Sequence, residues 1–255
     1  MCLILFAVDT HPDFAIIVAA NRDEFYRRRT HALGRWPEAP IIGGRDGEAG
    51  GTWLGLHAER TSRIAMVTNV RNGSPAGPGP RSRGELPVEF LTGDASPEAF
   101  AQTLPRHADD YAPVNLLVAD DGELWWATNF PEPQAQRVAP GVHGLSNGAL
   151  DSNWPKVTDG RDALAAVVGA DRPDGTVEPY LELLANDTRP AIDRLPDTGV
   201  PAQREQDLSP VFVRMRGYGT RASTVLRVGR NGHGDITERR FTYRGRQRGT
   251  TTVRF

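Results

Sequence analysis

Two features of the sequence carry side chains that can do nucleophilic chemistry. Cys2 is the only cysteine among 255 residues, and the polar run Asn21-Arg22-Asp23-Glu24 closes the apolar segment 14–20. A thiolate is a nucleophile, and a nearby guanidinium favours the thiolate over the thiol. If Met1 is removed, Cys2 also carries the α-amino group, whose unperturbed pKa of roughly 7.7–8.0 suits a general base at neutral pH.

An alternative interpretation gives the same residues purely structural roles. A lone cysteine often behaves as a small buried hydrophobe. A polar run at the end of a strand is often only a solvated strand end. The residue types therefore predict a nucleophilic site only if the fold brings Cys2 and the polar run together.

The segments around the first turn predict a β-hairpin. Residues 2–8 and 14–20 are apolar at nearly every position, which is typical of strands buried on both faces. The connecting residues 9–13 read DTHPD, and Asp, Thr and Pro favour a tight turn. With a loop of four or five residues, the numbers of facing positions sum to about 22 or 23.

This register predicts what lies beside the thiol. Cys2 faces Ala20 or Asn21, and Arg22 and Asp23 follow within one residue spacing of ~3.3 Å. The lone thiol and an Arg/Asp pair are therefore expected at one edge of a sheet, where Arg22 lowers the pKa of the thiol.

The remaining pattern predicts an α+β fold of antiparallel sheets covered by helical layers. Further strands are predicted at Thr52–Leu56, Ile64–Val70, Val114–Ala119, Leu124–Thr128, Val211–Met215, Ser223–Val228 and Ile236–Tyr243. Helices are predicted at Leu86–Leu91, from Ser96-Pro97-Glu98 onward, at Trp154–Val168 and at Val177–Ala185. Residues 43–51 and 72–83 are rich in Gly or Pro and predict loops. None of these segments separates domains, so residues 1–255 are predicted to form one domain.

Composition indicates the cellular compartment and the kind of source organism. The single cysteine excludes an intrachain disulfide framework and is compatible with a reducing compartment. No secretory signal precedes the first strand, and no apolar run approaches the roughly 20 residues of a membrane helix. Lys156 is the sole lysine against 29 arginines, which indicates a GC-rich bacterial genome. A cytoplasmic protein is expected.

The distribution of charge and the spacing of the histidines bear on nucleic-acid, anion and metal binding. Residues 204–255 hold 12 arginines against four acidic residues. Such a segment can attract nucleic acid or a small anion, but arginines solvated on the outer face of strands are favoured. The six histidines have no zinc-type spacing, so no metal is expected. Trp125 and Trp126 precede no basic stripe, so no nucleic-acid partner is expected.

Six motifs carry a family resemblance. In order they read MCLILF, AANRDEF, GGTWLGL, VTNVRNG, GLSNGALDSNWPKV and GTRASTVLRV, between residue 2 and about residue 228. Together they resemble the Asn-Arg-Asp-Glu family, also called the transport and Golgi organisation protein 2 family. The resemblance implies a fold like that of N-terminal-nucleophile (Ntn) hydrolases, a four-layer αββα sandwich of two antiparallel sheets between helical layers. Members of the family have been linked to haem handling and to lipid or acyl-CoA metabolism.

Within that superfamily the chain is similar to the cysteine branch, the penicillin V acylases and bile-salt hydrolases. The implied site residues are the nucleophile Cys2, the neighbouring Arg22 and Asp23, the two asparagines Asn69 and Asn147, and the late arginine Arg221. In the acylases the arginine and the aspartate are separated in sequence, whereas here they are adjacent. Either Asp23 lies just past the strand, or Glu24 provides the carboxylate.

The resemblance implies acyl transfer on a small amide or thioester, with no cofactor required. Cys2 attacks the carbonyl carbon, and Asn69 or Asn147 donates an amide N–H to the oxyanion. Both asparagines can instead serve turn chemistry, because Asn72-Gly73 and Asn147-Gly148 are ordinary turn dipeptides. The alternative function is a non-catalytic carrier in which Arg22 and Arg221 hold haem or an acyl-CoA. An interaction module without ligand is the least favoured. The oligomeric state is left open.

Overall fold

The computed structural model describes residues 2–73 and 79–255. The chain divides into two compact units. The first contains the residues up to Arg27 and Pro140–Arg254, and the second contains Arg28–Ala139 with Phe255. That residues 1–255 form one domain stays a prediction.

Strands and helices alternate in groups along the chain. The strands are β1 Cys2–Val8, β2 Phe14–Phe25, β3 Thr30–Arg35, β4 Ile41–Asp46, β5 Leu54–His57, β6 Ile64–Asn69, β7 Val114–Asp120, β8 Glu123–Thr128, β9 Gln134–Arg137, β10 Gly141–Leu145, β11 Tyr218–Gly229, β12 Gly234–Phe241 and β13 Gln247–Arg254. The α-helices are α1 Glu85–Thr92, α2 Pro97–Ala101, α3 Thr103–Arg106, α4 Pro155–Ala170, α5 Glu178–Leu184 and α6 Ala202–Leu208. The expected α+β class, with two antiparallel sheets and helices, is confirmed.

The first unit contains a six-stranded antiparallel sheet in the order β10-β1-β2-β11-β12-β13. Strand β1 is apolar throughout and β2 is apolar from Phe14 to Ala20, and both contribute to the core. Leu3 and Leu5 of β1 and Ile17 and Ala19 of β2 pack with Val157, Leu164, Tyr180 and Leu184 of α4 and α5. A Cβ on Gly160 of α4 would lie 2.9 Å from Leu5 Cδ1. The missing side chain therefore lets α4 approach β1 closely.

The second unit contains a seven-stranded antiparallel sheet in the order β3-β4-β5-β6-β7-β8-β9. Helices α1, α2 and α3 belong to this unit. Ser96 caps α2 as the sequence predicts, because its Oγ accepts a hydrogen bond of 3.2 Å from the backbone N–H of Ala99. How the two sheets stack stays an expectation from the resemblance.

The β1–β2 hairpin differs from the predicted register. Cys2 pairs with Arg22, and Val8 pairs with Ile16, so facing positions sum to 24 and not to 22 or 23. At the start of the wider connection Asp9 adopts φ 53°, and its backbone N–H bonds to Ala15 O at 3.0 Å. The correction places Arg22, rather than Ala20 or Asn21, directly beside the thiol.

Other predicted boundaries also change. Val211–Met215 is not a strand, because the backbone N–H of Phe212 bonds to Asn186 O and that of Val213 to Thr220 Oγ1. The predicted loop 43–51 begins as strand, since β4 extends to Asp46. Part of the predicted loop 72–83, residues 74–78, lies outside the described residues. Strands β3, β4, β9, β10 and β13 were not predicted, and neither were α3 and α6.

Candidate active site

Cys2 and Arg22 share one face of the first sheet. Residues paired directly across strands point to the same face, and Cys2 pairs with Arg22. Their neighbours Leu3 and Asn21 point the other way, toward the helices. There the Asn21 amide donates to Leu184 O at 2.8 Å and to Val211 O at 2.9 Å. Asn21 of the polar run is therefore structural, and Arg22 is the residue that meets the thiol.

The thiol of Cys2 is buried, with 8% of the residue exposed. Burial raises the pKa of Cys2, and the carboxylate of Asp23 adds to this effect. Arg22 and a hydrogen bond from the Asp23 backbone N–H act in the opposite direction. Arg22 therefore acts on the thiol in the expected direction, but desolvation outweighs the guanidinium and the pKa of Cys2 lies above its ordinary value.

Asp23 is the buried carboxyl group beside the thiol. It is 2% exposed, and its Oδ1 accepts a hydrogen bond of 2.7 Å from Thr220 Oγ1. Tyr218 Oη donates to the Asp23 backbone carbonyl at 3.0 Å. Burial raises the pKa of Asp23, while Lys156, Thr220 and Arg22 oppose the increase.

Glu24 has a different environment. Its Oε2 lies 3.6 Å from Arg22 Nη2, and its Oε1 accepts a hydrogen bond of 2.8 Å from the Phe25 backbone N–H. Strand β2 continues to Phe25, so Asp23 does not lie past the strand as one alternative supposed. Successive strand residues face opposite sides, so Glu24 shares the face of Cys2 and Arg22 and is a partner of Arg22, whereas Asp23 is the buried carboxyl group on the other face. Which of the two serves the site stays a prediction.

Asn147 reaches the same strand end from β10, the neighbour of β1. Ser146 Oγ lies 3.0 Å from Cys2 O and 3.3 Å from Asn147 Oδ1. Both Ser146 and Asn147 are fully buried. Ser146 thus joins the backbone of Cys2 to the side chain of Asn147.

A β-bulge brings Arg221 to the polar run. Thr220 pairs with Asp23 and Ala222 pairs with Arg22, so Arg221 is the extra residue. Its Nη1 donates to Phe25 O at 2.8 Å. Burial lowers the pKa of Arg221, and the charge of Arg22 lowers it further, which is consistent with two guanidinium groups close together.

Asn69 belongs to the second unit. It is the last residue of β6, pairs with Val114 and is half-buried. The structure of the first unit therefore brings together Cys2, Arg22, Asp23, Asn147 and Arg221. The role of Asn69 at the thiol stays a prediction.

Three further residues of this cluster were not predicted from the sequence: Ser146, Tyr218 and Thr220. Ser146 and Thr220 each stand directly before a residue that was predicted, Asn147 and Arg221. The sequence signal that could have found Ser146 and Thr220 is their position next to a residue of a motif. Their roles depend on hydrogen bonds to residues more than 140 positions away.

Within the part of the chain that the structure describes, no three His, Cys, Asp or Glu side chains are placed to hold a metal ion. No helix among the described residues is long and apolar enough to span a membrane.

Comparison with known proteins identifies close relatives. The Transport and Golgi organisation 2 family model matches residues 1–243. A cattle (Bos taurus) Transport and Golgi organization protein 2 homolog is 34% identical over 268 residues, which cover 94% of this chain and 92% of the relative. The human homolog is 32% identical over 262 residues, with the same two coverages. The Drosophila melanogaster protein is 26% identical over 250 residues, covering 89% of this chain and 88% of that protein.

Among solved structures, the chain is similar to a Caenorhabditis elegans N-acylethanolamine-hydrolyzing acid amidase ortholog. The identity is 15%, the TM-score is 0.43, and the match covers 88% of this chain and 92% of that chain. A likeness at this level carries no argument about activity.

Proposed function

The chain belongs to the Transport and Golgi organisation 2 family, and from this premise we propose that it is a cysteine hydrolase of the N-terminal-nucleophile type. The proposed reaction is acyl transfer from a small amide or thioester to water. The observation that carries the proposal is the position of the chain's only cysteine. Cys2 pairs with Arg22, accepts a hydrogen bond from the Asp23 backbone N–H and is joined through Ser146 to Asn147.

Each neighbour of Cys2 has a chemical task in this proposal. Once Met1 is removed, the α-amino group of Cys2 accepts the thiol proton, and the sulfur attacks the carbonyl carbon. The Asn147 amide donates to the oxyanion, a contact worth about 3 kcal/mol in comparable sites. The tetrahedral intermediate collapses, the α-ammonium returns its proton to the leaving nitrogen or sulfur, and a thioester remains on Cys2. Water then adds to the thioester carbonyl, the acid leaves and the thiol is restored.

Among the charged residues near the thiol, Arg22 opposes the effect of burial without outweighing it. Burial raises the pKa of Cys2, which disfavours the thiolate. Arg22 stabilises the thiolate, and an ionised Asp23 can orient the α-ammonium group. Tyr218 and Thr220 hold Asp23 at its backbone carbonyl and at its carboxylate. Tyr218 is neutral in this role, because burial raises the pKa of its phenol well above the ordinary value.

A substrate panel tests the proposed function. Purified protein is incubated with short- and long-chain acyl p-nitroanilides and with acyl thioesters of N-acetylcysteamine, and acid release is measured. We expect release from at least one class and none in Cys2→Ala. The matched control is Ser209→Ala in the same unit, because the Ser209 hydroxyl donates within its own turn, to Gln206 O. Release that persists in Cys2→Ala contradicts the proposal.

A carrier without turnover is the second candidate, and one observation favours it. Burial raises the pKa of Cys2, which disfavours the nucleophile, whereas Arg22 and Arg221 lie close enough for the charge of Arg22 to lower the pKa of Arg221. Such a positive charge attracts an anionic ligand such as haem or an acyl-CoA. A carrier binds such a ligand with a stoichiometry near one, and Cys2→Ala leaves this binding intact unless the sulfur ligates iron. Spectral titration with haem and calorimetry with an acyl-CoA distinguish the two candidates, since only the hydrolase forms product.

A further inference from the structure

The row of residues that contains Cys2 continues across the sheet. Direct pairings place Cys2, Arg22, Ala222, Arg240 and Gly249 side by side on β1, β2, β11, β12 and β13. Directly paired residues share a face. Arg22 and Arg240 therefore flank the small side chain of Ala222, with their Cα atoms about 10 Å apart, two strand spacings. Two long guanidinium side chains at this separation can converge on one group above Ala222.

The next row contains a buried hydroxyl without a partner. Thr224 pairs with Ala20 and with Glu238, so it lies on the same face as Arg22. Thr224 is 2% exposed, and its Oγ1 has no hydrogen-bond partner among the described residues. Leaving a buried hydroxyl unpaired is unfavourable. An unpaired buried hydroxyl one row from Arg22 and Arg240, on the same face of the sheet, therefore points to a bound group.

Arg240 provides a second buried polar atom that lacks a hydrogen-bond partner among the described residues. Its Nε is buried and forms no hydrogen bond with a described residue. The carboxylate of Glu238 lies 3.8 Å from this nitrogen, beyond hydrogen-bond distance. Arg240 thus keeps a buried donor on the face that carries Cys2.

The charge around Arg22 and Arg240 favours binding of an anion. Arg221 and Arg248 are the extra residues of two β-bulges, one in β11 and one in β13, and bulges often re-aim side chains near active sites. The pKa of Arg221 is lowered by burial, then by Arg22, and also by Arg248. Four arginines therefore gather near Glu24 and Glu238, so the local charge is positive even with both carboxylates ionised.

We propose that this face of the sheet binds a small oxyanion, a carboxylate or a phosphate, between Arg22 and Arg240 above Ala222, with the Thr224 hydroxyl donating to it. The site lies next to the thiol, so the substrate of the proposed hydrolase carries its anionic group close to the scissile carbonyl. The inference that the substrate carries an anionic group rests on the proposed function. Anion binding itself needs no turnover and can be tested without it.

Because Cys2 is the only cysteine in the sequence, its alkylation can be measured without other thiols. Two alkylating reagents of different charge then test whether an anion is attracted to this residue. Iodoacetate and iodoacetamide alkylate the same sulfur, but only iodoacetate carries a carboxylate. The rate ratio of iodoacetate to iodoacetamide at Cys2 is expected to exceed the ratio for free cysteine by about tenfold, the effect of one charge-assisted contact. Arg240→Gln is expected to remove most of this preference. Arg254→Gln, an exposed residue at the far end of β13, is the matched control and should retain it.

Thr224→Val separates the subsite from the fold. Valine keeps the shape of threonine, and the hydroxyl has no partner to lose among the described residues, so thermal stability is expected to be unchanged. The preference for iodoacetate should fall several-fold. A rate ratio equal to that of free cysteine, unchanged in Arg240→Gln and Thr224→Val, overturns the proposal.

If Cys2 reacts too slowly for its two alkylation rates to be compared, anion binding is measured directly by calorimetry with inorganic phosphate and with acetate. Saturable binding of one anion to the wild type, weakened at least tenfold in Arg240→Gln but not in Arg254→Gln, supports the site and identifies its chemistry. Binding of neither anion overturns it, whatever the substrate panel shows. Acid release from the panel together with no anion binding would retain the proposed function and remove this subsite.

Discussion

At the scale of single residues, the charge state of Cys2 is set by burial against Arg22. Burial raises the pKa of the thiol and Arg22 opposes this. We therefore expect Cys2 to react with iodoacetamide at pH 7 more slowly than free cysteine. Arg22→Gln removes the opposing charge, raises the pKa further and slows the reaction again. A pH profile of the alkylation rate measures both effects.

Arg35→Gln is the control for this experiment, since Arg35 is exposed and belongs to the second unit. It should leave the profile unchanged. Alkylation as fast as that of free cysteine, with no change in Arg22→Gln, would mean that neither burial nor the guanidinium controls the sulfur.

The buried carboxyl group of Asp23 makes stability depend on pH. Its pKa is raised in the folded state by burial, so folding favours the protonated carboxyl group. The stabilisation is complete below the unfolded pKa, near 3.9, and is lost as pH rises through the folded pKa. The loss is about 1.4 kcal/mol for each pH unit that separates the two pKa values. Asp23→Asn, which keeps an oxygen acceptor for Thr220, should lack this loss and be at least as stable as the wild type at pH 7, but without hydrolytic activity.

Urea unfolding from pH 4 to pH 8 measures the effect of Asp23→Asn. The wild type should lose stability across the lower part of this range relative to the variant. Parallel stability curves for the two proteins would contradict the assignment of a raised pKa to Asp23.

Part of this residue network could be predicted from the sequence, and part could not. The lone thiol, the polar run after the second strand and the ordered motifs indicated Cys2, Arg22, Asp23, Asn147 and Arg221. Ser146, Tyr218 and Thr220 remained hidden because backbone atoms are among their partners, and backbone atoms leave no signature in residue types. The sequence identified the arginine that lowers the pKa of the thiol but not the extent of desolvation, which decides the net direction of the shift.

At the scale of elements, an arginine fixes the first hairpin. Arg230 follows β11 and donates at 3.0 Å to Pro12 O, His11 O and Asp9 Oδ1. Its own backbone N–H bonds to Asp13 O. Arg230→Ala leaves the backbone contact and removes the other three, which should lower the free energy of unfolding by about 1–2 kcal/mol, since exposed ion pairs contribute little.

Urea denaturation measures the change, and Arg246→Ala, an exposed residue near β13, is the control with no expected effect. A loss under about 0.5 kcal/mol, the size of an ordinary surface substitution, would contradict a fixing role for Arg230.

In the second unit, a buried arginine joins a strand to a helix end. Arg63 is fully buried, donates to Phe90 O at 2.7 Å and to Asp120 Oδ2 at 2.8 Å, and lies 3.8 Å over the Phe90 ring. Arg63→Met leaves Asp120 without its buried partner and should cost about 3–5 kcal/mol. Arg60 also contacts Asp120 but is 43% exposed, so Arg60→Gln should cost under about 1 kcal/mol. Equal losses in the two variants would contradict the dependence on burial.

Elements with clear periodicity or capping signals were predicted well. Strand β1 has the predicted bounds, and α1, α4 and α5 lie within two residues of theirs. Strands β4, β9 and β10 were missed because their sequences, IIGGRD, QAQR and GVHGL, contain glycine or lack apolar residues. Their pairing is supplied by neighbouring strands. The hairpin register was wrong because Asp9 takes a positive φ that residue type alone does not specify.

At the scale of the molecule, the basic segment 204–255 finds its acidic partners earlier in the chain. Arg227 pairs with Asp171, Arg230 with Asp9 and Arg239 with Glu178. Several of its arginines are therefore used within the first unit instead of only facing solvent. A bacterial source and a cytoplasmic location stay predictions, since the cattle, human and Drosophila relatives are all animal proteins.

Intact mass spectrometry tests the central claim most directly. Purified protein should lack the mass of one methionine, and brief incubation with an acyl thioester that it hydrolyses should add one acyl group. Peptide mapping should place this group on Cys2. Water should then remove it over time, whereas Cys2→Ala should never acquire it. A chain that retains Met1, or that releases acid without any acyl group on Cys2, would contradict catalysis by an N-terminal cysteine.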